Sequence, residues 1–250
     1  MFLQNPIINQ DLAVSDIVKS DFRTADVFRK YGIEYCCGGK WPLKTACELK
    51  GAPYSDVYED LERATRNNAV PSTTDFTNWT VNFLTDYIVN IHHDYLKKNL
   101  PLVHEHILRF AEGHRKKFSY ADDLLQTVQQ LTKDLAPHLQ QEEEVIFPYI
   151  RRISHAYSSK ESYASLLVRT LRKPVEDIMH YEHALVLKAM LRLRDLTNNY
   201  RLPEGACISH SVVFHKLNEL DNDLAQHMYL ENEVLFPRAI AMEKELLHQV

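Results

Sequence analysis

Two stretches decide the fold: His138-Leu-Gln-Gln-Glu142-Glu-Glu-Val-Ile-Phe147-Pro148 and His227-Met-Tyr-Leu-Glu231-Asn-Glu-Val-Leu-Phe236-Pro237. They are one pattern written twice, offset by 89 residues (138 to 227). Each copy has a partner histidine upstream, His93 in His92-His93-Asp94 and His183 in Glu182-His183-Ala184, offset by 90 (93 to 183). A helical hairpin with a histidine on one arm and His-x-x-x-Glu on the other therefore occurs twice.

On an α-helix, residues i and i+4 share a face and sit about 6 Å apart along the axis. His138 and Glu142 can therefore aim at one centre, and so can His227 and Glu231. The breaks EGHRKKFSYA, SHAYSSKES and NNYRLPEGA divide the region into four expected helices, roughly 76–112, 121–152, 161–198 and 208–246. Short connections between long helices imply antiparallel neighbours, hence an all-α, up-down-up-down four-helix bundle over 76–250. The histidines fall near the helix midpoints, so four helices deliver six ligand-type side chains to one slice of the core. Pro101 should kink the first helix.

A lone helical histidine is ordinarily a surface or core residue, and thirteen histidines make chance matches easier. The glutamates argue otherwise. Inward carboxylates are costly without partners, and here they recur beside histidines at matched spacing. A metal follows, with His93, His138, Glu142, His183, His227 and Glu231 as its ligands. His92 is the alternative to His93 if the register slips by one, and the repeat offset favours His93. Glu182 and Asp94, next to ligands, are candidates to support them. The remaining histidines read as surface or supporting residues, and Cys47 and Cys207 as ordinary buried ones.

Four imidazoles and two carboxylates suit borderline first-row ions. Six ligands exceed the needs of one tetrahedral zinc. Two ions are expected, each with two histidines and both sharing the bridging glutamates. Two ferrous ions against two carboxylates leave charge that an oxo or hydroxo bridge would balance on oxidation. Ferritin-like sites are carboxylate-rich and use Glu-x-x-His; a histidine-dominated His-x-x-x-Glu set points to the hemerythrin type.

Residues 1–70 read as a small helical domain of three short helices. Asp21 caps one that runs to Tyr31 and stops at Gly32; Pro42 opens a second that closes at Gly51; Ser55 caps a third. The polar stretch 67–75 reads as a linker. Between the first two helices lies Tyr35-Cys36-Cys37-Gly38-Gly39. Adjacent cysteines pair only with strain, so a reducing cell should keep them as thiols. Such thiols could take iron, accept NO or change redox state, or simply fill a tight turn.

The composition narrows the partners. Net charge is −5 and the basic runs are short, which argues against nucleic acid. No apolar stretch approaches a membrane span. The N-terminus lacks the pattern of a secretory signal, and four cysteines do not make a disulfide scaffold, so the cytoplasm is expected.

Arg29-Lys-Tyr-Gly-Ile-Glu-Tyr35-Cys36-Cys37-Gly38-Gly39-Lys40, followed by the duplicated ligand pattern, resembles the iron-sulfur cluster repair di-iron proteins along nearly the whole chain. The resemblance implies a hemerythrin-like bundle behind a small cysteine-bearing domain. It assigns the six residues above as iron ligands, with Glu142 and Glu231 bridging two non-haem irons. It further implies a cytoplasmic protein, often a homodimer, that repairs clusters damaged by nitric oxide or oxidants. Iron donation, reduction of NO to nitrous oxide and plain O₂ or NO binding and sensing remain alternatives, with catalysis through Cys36 and Cys37 also open.

Overall fold

The computed structural model describes residues 8–36, 39–65, 75–160, 164–171 and 175–248. Cys37, Gly38 and most of the expected linker lie outside them. Among the described residues the regular structure is helical throughout, as the duplicated hairpin requires.

Among its described residues the N-terminal module holds four helices rather than three: α1 (Val14–Ser20), α2 (Thr24–Lys30), α3 (Leu43–Lys50) and α4 (Tyr54–Thr65). The unforeseen α1 is one of short amphipathic length, burying Val14, Ile17 and Val18. Asp21 turns the chain into α2 by accepting from its neighbour's Arg23 backbone N–H at 3.0 Å, so it precedes that helix without capping it. Gly51 ends α3 in the left-handed conformation, φ 64°, as its position after the last helical residue suggests. Ser55 is not a cap, because α4 already begins at Tyr54. Gly39 has a different reason to be glycine: a Cβ there would collide with the Tyr35 carbonyl. Gly39 thus sits directly against the Tyr35 backbone, and Ser15 N–H donates to the Gly39 carbonyl at 2.9 Å.

The bundle has four rods. The first joins α5 (Val81–Tyr87), a π-helical turn (Ile88–His93) and α6 (Asp94–His114). The second joins α7 (Ala121–Gln141), a π turn (Glu142–Ile146) and α8 (Phe147–Ser159). The third comprises α9 (Ala164–Leu171) and α10 (Val175–Leu196), with residues 172–174 between them outside the described residues. The fourth joins α11 (Ile208–Tyr229), a π turn (Leu230–Leu235) and α12 (Phe236–His248). The second rod outruns its expected end because Ile150, Ile153 and Ala156 continue the buried stripe, and Lys160 closes it with φ 49°. Pro101 lies inside α6, which continues through it; the first rod departs from α geometry earlier, at Ile88–His93.

Two apolar cores stack along the bundle. One is built from Leu96–Leu139 and Val186–Leu224, the other from Val81–Ile88, Ile146–Ala156 and Leu230–Leu246. All six candidate ligands lie in sequence between residues of the first core and residues of the second.

The module docks on the first and fourth rods. Val212 of α11 belongs to its core, and Ile208 packs against it. At the seam, buried Lys216 donates to Asp26 at 2.5 Å, His106 Nε2 donates to the same carboxylate at 2.8 Å, and Tyr35 OH lies 3.2 Å from His106 Nδ1. Arg29 pairs with Glu105 beside them. Burial pushes Asp26 up, but His106 and Lys216 more than offset it and hold the carboxyl below its usual range.

Candidate metal centre

Each of three rods places a π turn at the same level, and that level holds the histidines and glutamates. Buried positions elsewhere in the second rod, such as Leu124, Val128, Leu131 and Leu135, alternate steps of four and three. Around the centre they run in consecutive steps of four: His138, Glu142, Ile146, Ile150. The fourth rod repeats this with His227, Glu231, Leu235 and Ala239. Each four-residue step overshoots a 3.6-residue turn by about 40°. A wider i→i+5 turn absorbs the drift and keeps all of these side chains inward.

The result is a compact six-residue cluster. His93, Glu142, His227 and Glu231 form one group, and His138, Glu142, His183 and Glu231 another; within each, one candidate ligand atom per residue lies within 4.8 Å of the others. Both glutamates belong to both groups. Glu142 Oε2 is 3.4 Å from His93 Nε2 and its Oε1 is 3.4 Å from His138 Nε2. Glu231 Oε1 is 3.0 Å from His227 Nε2 and its Oε2 is 3.4 Å from His183 Nε2. Each carboxylate therefore reaches a histidine of either group with a different oxygen.

The outer faces of three of the four rings are tethered. His93 Nδ1 is 2.8 Å from Glu143, His138 Nδ1 2.7 Å from Glu182, and His183 Nδ1 2.8 Å from the Asn232 carbonyl oxygen. These acceptors place the proton on Nδ1 and leave the Nε2 lone pairs pointing inward, the tautomer that metal binding needs. Lys97 holds Glu143 from outside with contacts of 2.6 and 2.7 Å.

Inside, the polar groups lack partners. Glu142 and Glu231 are 0% exposed, and none of their four carboxylate oxygens has hydrogen-bond geometry to a donor. His138 Nε2 and His183 Nε2 are likewise buried and unpaired. Buried carboxylates in this state cost several kcal/mol each without a cation. His93 Nε2 and His227 Nε2 face one another at 3.1 Å, a repulsive contact unless a proton or cation lies between them.

In the metal-free protein a proton takes that place. Burial pushes His93 down, yet the close negative carboxylates of Glu142 and Glu231 carry it up to about 10. His183 follows the same logic: burial lowers it, and the same two carboxylates outweigh burial and raise it. Burial pushes Glu231 up, but His227, His93 and His183 pull it well below the ordinary carboxylate range. Negative oxygens and displaceable protons together make a cation site of mixed nitrogen and oxygen donors, suited to first-row ions.

All six residues expected from the sequence meet here. His92 does not join them; its Nδ1 lies 2.9 Å from Asp223. Glu182 supports His138 as anticipated, whereas Asp94 pairs with Lys98 at 2.6 Å, away from the site. Sequence reasoning missed Glu143 and Asn232, although each directly follows a candidate glutamate in the repeat or its next position. Cys36 is elsewhere. Its thiol contacts Ser209, which precedes His227 by eighteen residues of continuous helix, about 27 Å at 1.5 Å per residue. Cys37 lies outside the described residues. Cys207, expected to be buried, is only half-buried, at the start of α11.

Residues 85–239 match the hemerythrin HHE cation binding domain, and residues 10–65 match a domain of unknown function, DUF542. The chain is also similar to the iron-sulfur cluster repair protein YtfE of Escherichia coli O1:K1, of E. coli strain SMS-3-5 and of Escherichia fergusonii. Each is 28% identical over 234 residues, covering 94% of this chain and 99% of the relative. No described helix is long and apolar enough to cross a membrane.

Proposed function

Because this chain belongs to the hemerythrin HHE cation-binding family, we propose that it carries a pair of non-haem irons and uses them to repair damaged iron-sulfur clusters. His93 and His227 hold one iron, His138 and His183 the other, and Glu142 and Glu231 bridge the two. The damage is that inflicted by nitric oxide or oxidants, and the repair consists of supplying iron from a labile store. A reducing cytoplasm suits both ferrous iron and free thiols.

One observation carries the reading: two groups of donors share both of their glutamates, and every oxygen of those glutamates is buried without a hydrogen-bond donor. Six donors arranged as two overlapping groups exceed what one ion needs and suit two, with the residual positive charge left for a small bridging anion to balance. When bound, the pair would supply oxidisable, exchangeable ferrous iron. The residues around it govern how readily it leaves. Glu143 and Glu182 keep their side chains 24% and 30% exposed while tethering buried histidines. Each tether therefore spans from the site to solvent, and chelators or competing protons reach it without unfolding the bundle. The similarity to iron-sulfur cluster repair proteins supports a repair role for the site.

Metal analysis with Mössbauer spectroscopy on anaerobically prepared protein tests the centre; two coupled irons per chain are expected, and a single zinc would overturn it. Reactivation of a nitrosylated cluster enzyme tests the role. It should fail with Glu142→Leu or Glu231→Leu, and unchanged reactivation would remove the proposal. Nitrous oxide in the headspace without loss of iron would favour NO reduction instead.

A further inference from the structure

Cys36 belongs to a second cluster at the far end of the bundle, one that the metal centre does not use. Its thiol donates to Ser209 Oγ at 3.7 Å, and the same hydroxyl contacts Cys207 Sγ at 3.1 Å. Cys207 Sγ in turn lies 3.3 Å from His114 Nε2. Three separate elements meet here: the loop after α2, the end of α6 and the start of α11.

The polarity of the cluster is set by its surroundings. His114 Nδ1 lies 3.1 Å from the Phe110 carbonyl, which can only accept. The proton is thus on Nδ1, and Nε2 turns its lone pair to the Cys207 thiol. The imidazole stacks on Phe110, ring centroids 4.9 Å apart, which fixes its orientation. Cys207 is also the residue that opens the 22-residue helix α11, and its side chain makes no capping bond there. An adjacent basic nitrogen turns an inert thiol into a nucleophile. Cys36 and Cys207 are both half-buried, whereas Cys47 is buried, so small reagents reach the first two.

We propose that Cys207, with His114 as its base, and Cys36 form a redox pair that exchanges with a low-molecular-weight disulfide and closes a Cys36–Cys207 bond between the module and the bundle. Nε2 of His114 takes the Cys207 proton, and the thiolate attacks one sulfur of the small disulfide. A Cys207–sulfur bond forms as the sulfur–sulfur bond of the reagent breaks, and the departing thiolate collects the proton from His114. Cys36, held on the shared Ser209 hydroxyl, then attacks the Cys207 sulfur and expels the second small thiol, which leaves with the Cys36 proton. The two cysteines lose two electrons and two protons, and the reagent gains both as two thiols. The bond ties residue 36 to residue 207 and fixes the cysteine module on the rods that carry the iron ligands.

The iron-loaded, full-length chain is equilibrated anaerobically with oxidised and reduced glutathione, quenched with acid, alkylated and mapped by peptide mass spectrometry. The expected product is a linked pair of peptides carrying Cys36 and Cys207, and a chain two hydrogens lighter. Cys37→Ser should leave it intact. His114→Gln should slow its formation about tenfold or more at pH 7, where an unassisted thiol is only a few per cent ionised, and recover most of the rate near pH 9. That recovery separates a base from a merely structural residue. A bond between Cys36 and Cys37, mixed glutathione adducts that never resolve, or a His114→Gln rate equal to the parent at pH 7 would each overturn the proposal.

Discussion

The first hairpin of the bundle (81–159) and the second (164–248) present the same inner side chains and different outer ones. His93, His138 and Glu142 recur as His183, His227 and Glu231. The groups behind them do not recur. Glu143 tethers His93, but Asn232 stands at the matching place behind His183. Glu182 tethers His138, but the matching residue beside His227 is His92, which turns its Nδ1 to Asp223 instead. His227 Nδ1 and His92 Nε2 are both buried and unpaired, with ring centroids 6.0 Å apart. Duplication thus preserves what touches a cation and lets drift what touches the ligands. A carboxylate behind an imidazole makes it a stronger donor than an amide does, and a missing acceptor leaves the ring unfixed. The group with His138 and His183 has both rings tethered, and the group with His93 and His227 has only one. Two ions held by the same inner set should therefore differ in strength.

The severest way to break the comparison is to remove what both halves share. Glu142→Leu or Glu231→Leu takes a donor from both groups at once. Iron content measured by plasma emission should fall from two per chain to near zero, with affinity reduced beyond the roughly 10–100-fold that a lost outer partner costs. Circular dichroism should show the bundle retained, since leucine matches the apolar cores on either side. Loss of just one iron would mean that the carboxylates do not bridge.

The next effect is on pH. His93 holds a proton to about 10, above its ordinary 6.5. In the metal-free protein that interaction stabilises the fold fully below pH 6.5, and the contribution disappears as pH rises through about 10. Metal affinity runs the opposite way, because the ion must displace the proton. Affinity for the ion at His93 should rise about tenfold per pH unit between 7 and 10, with proton release visible in buffers of different ionisation enthalpy. Glu231→Gln, by weakening the pull on that proton, should flatten the slope. A slope that is already flat in the parent protein would show that His93 is neutral before metal arrives.

The fold was legible because break residues, short connections and a duplicated motif all pointed one way. The six inner residues were legible because His-x-x-x-Glu is short-range and repeats. What surrounds them was not. Glu143 and Asn232 act across rods on His93 and His183, and neither reads differently from a solvent-facing residue in the sequence. The π turns left a trace in the run of four-residue steps from His138 to Ile150, but one turn of drift is faint against a long helix. Cys207 looked like a buried apolar residue because nothing local announces that the end of a distant helix, α6 at His114, will meet it. Pairings between distant segments were the part that needed coordinates.

Unequal tethering itself gives the next test. Ferrous iron drawn off by a chelator should leave in two phases of equal amplitude, the faster from His93 and His227. Glu143→Gln should accelerate the fast phase alone, and Glu182→Gln the slow phase alone, each by roughly 10–100-fold. Single-phase loss in the parent protein would mean the outer groups do not set the order of release.

The smallest effect sharpens the comparison by restoring the symmetry that drift removed. Asn232→Glu places behind His183 the carboxylate that Glu143 supplies behind His93. The acceptor point is conserved, since Asn232 already presents an oxygen 2.8 Å from His183 Nδ1, and the added charge strengthens that ring as a donor. The site lies against the protein surface, so part of the gain is screened. A severalfold slowing of the slow phase is expected, with the fast phase unchanged, which places the effect on the electron density of one imidazole and not on packing. An equal slowing of both phases would instead tie it to the net charge of the bundle.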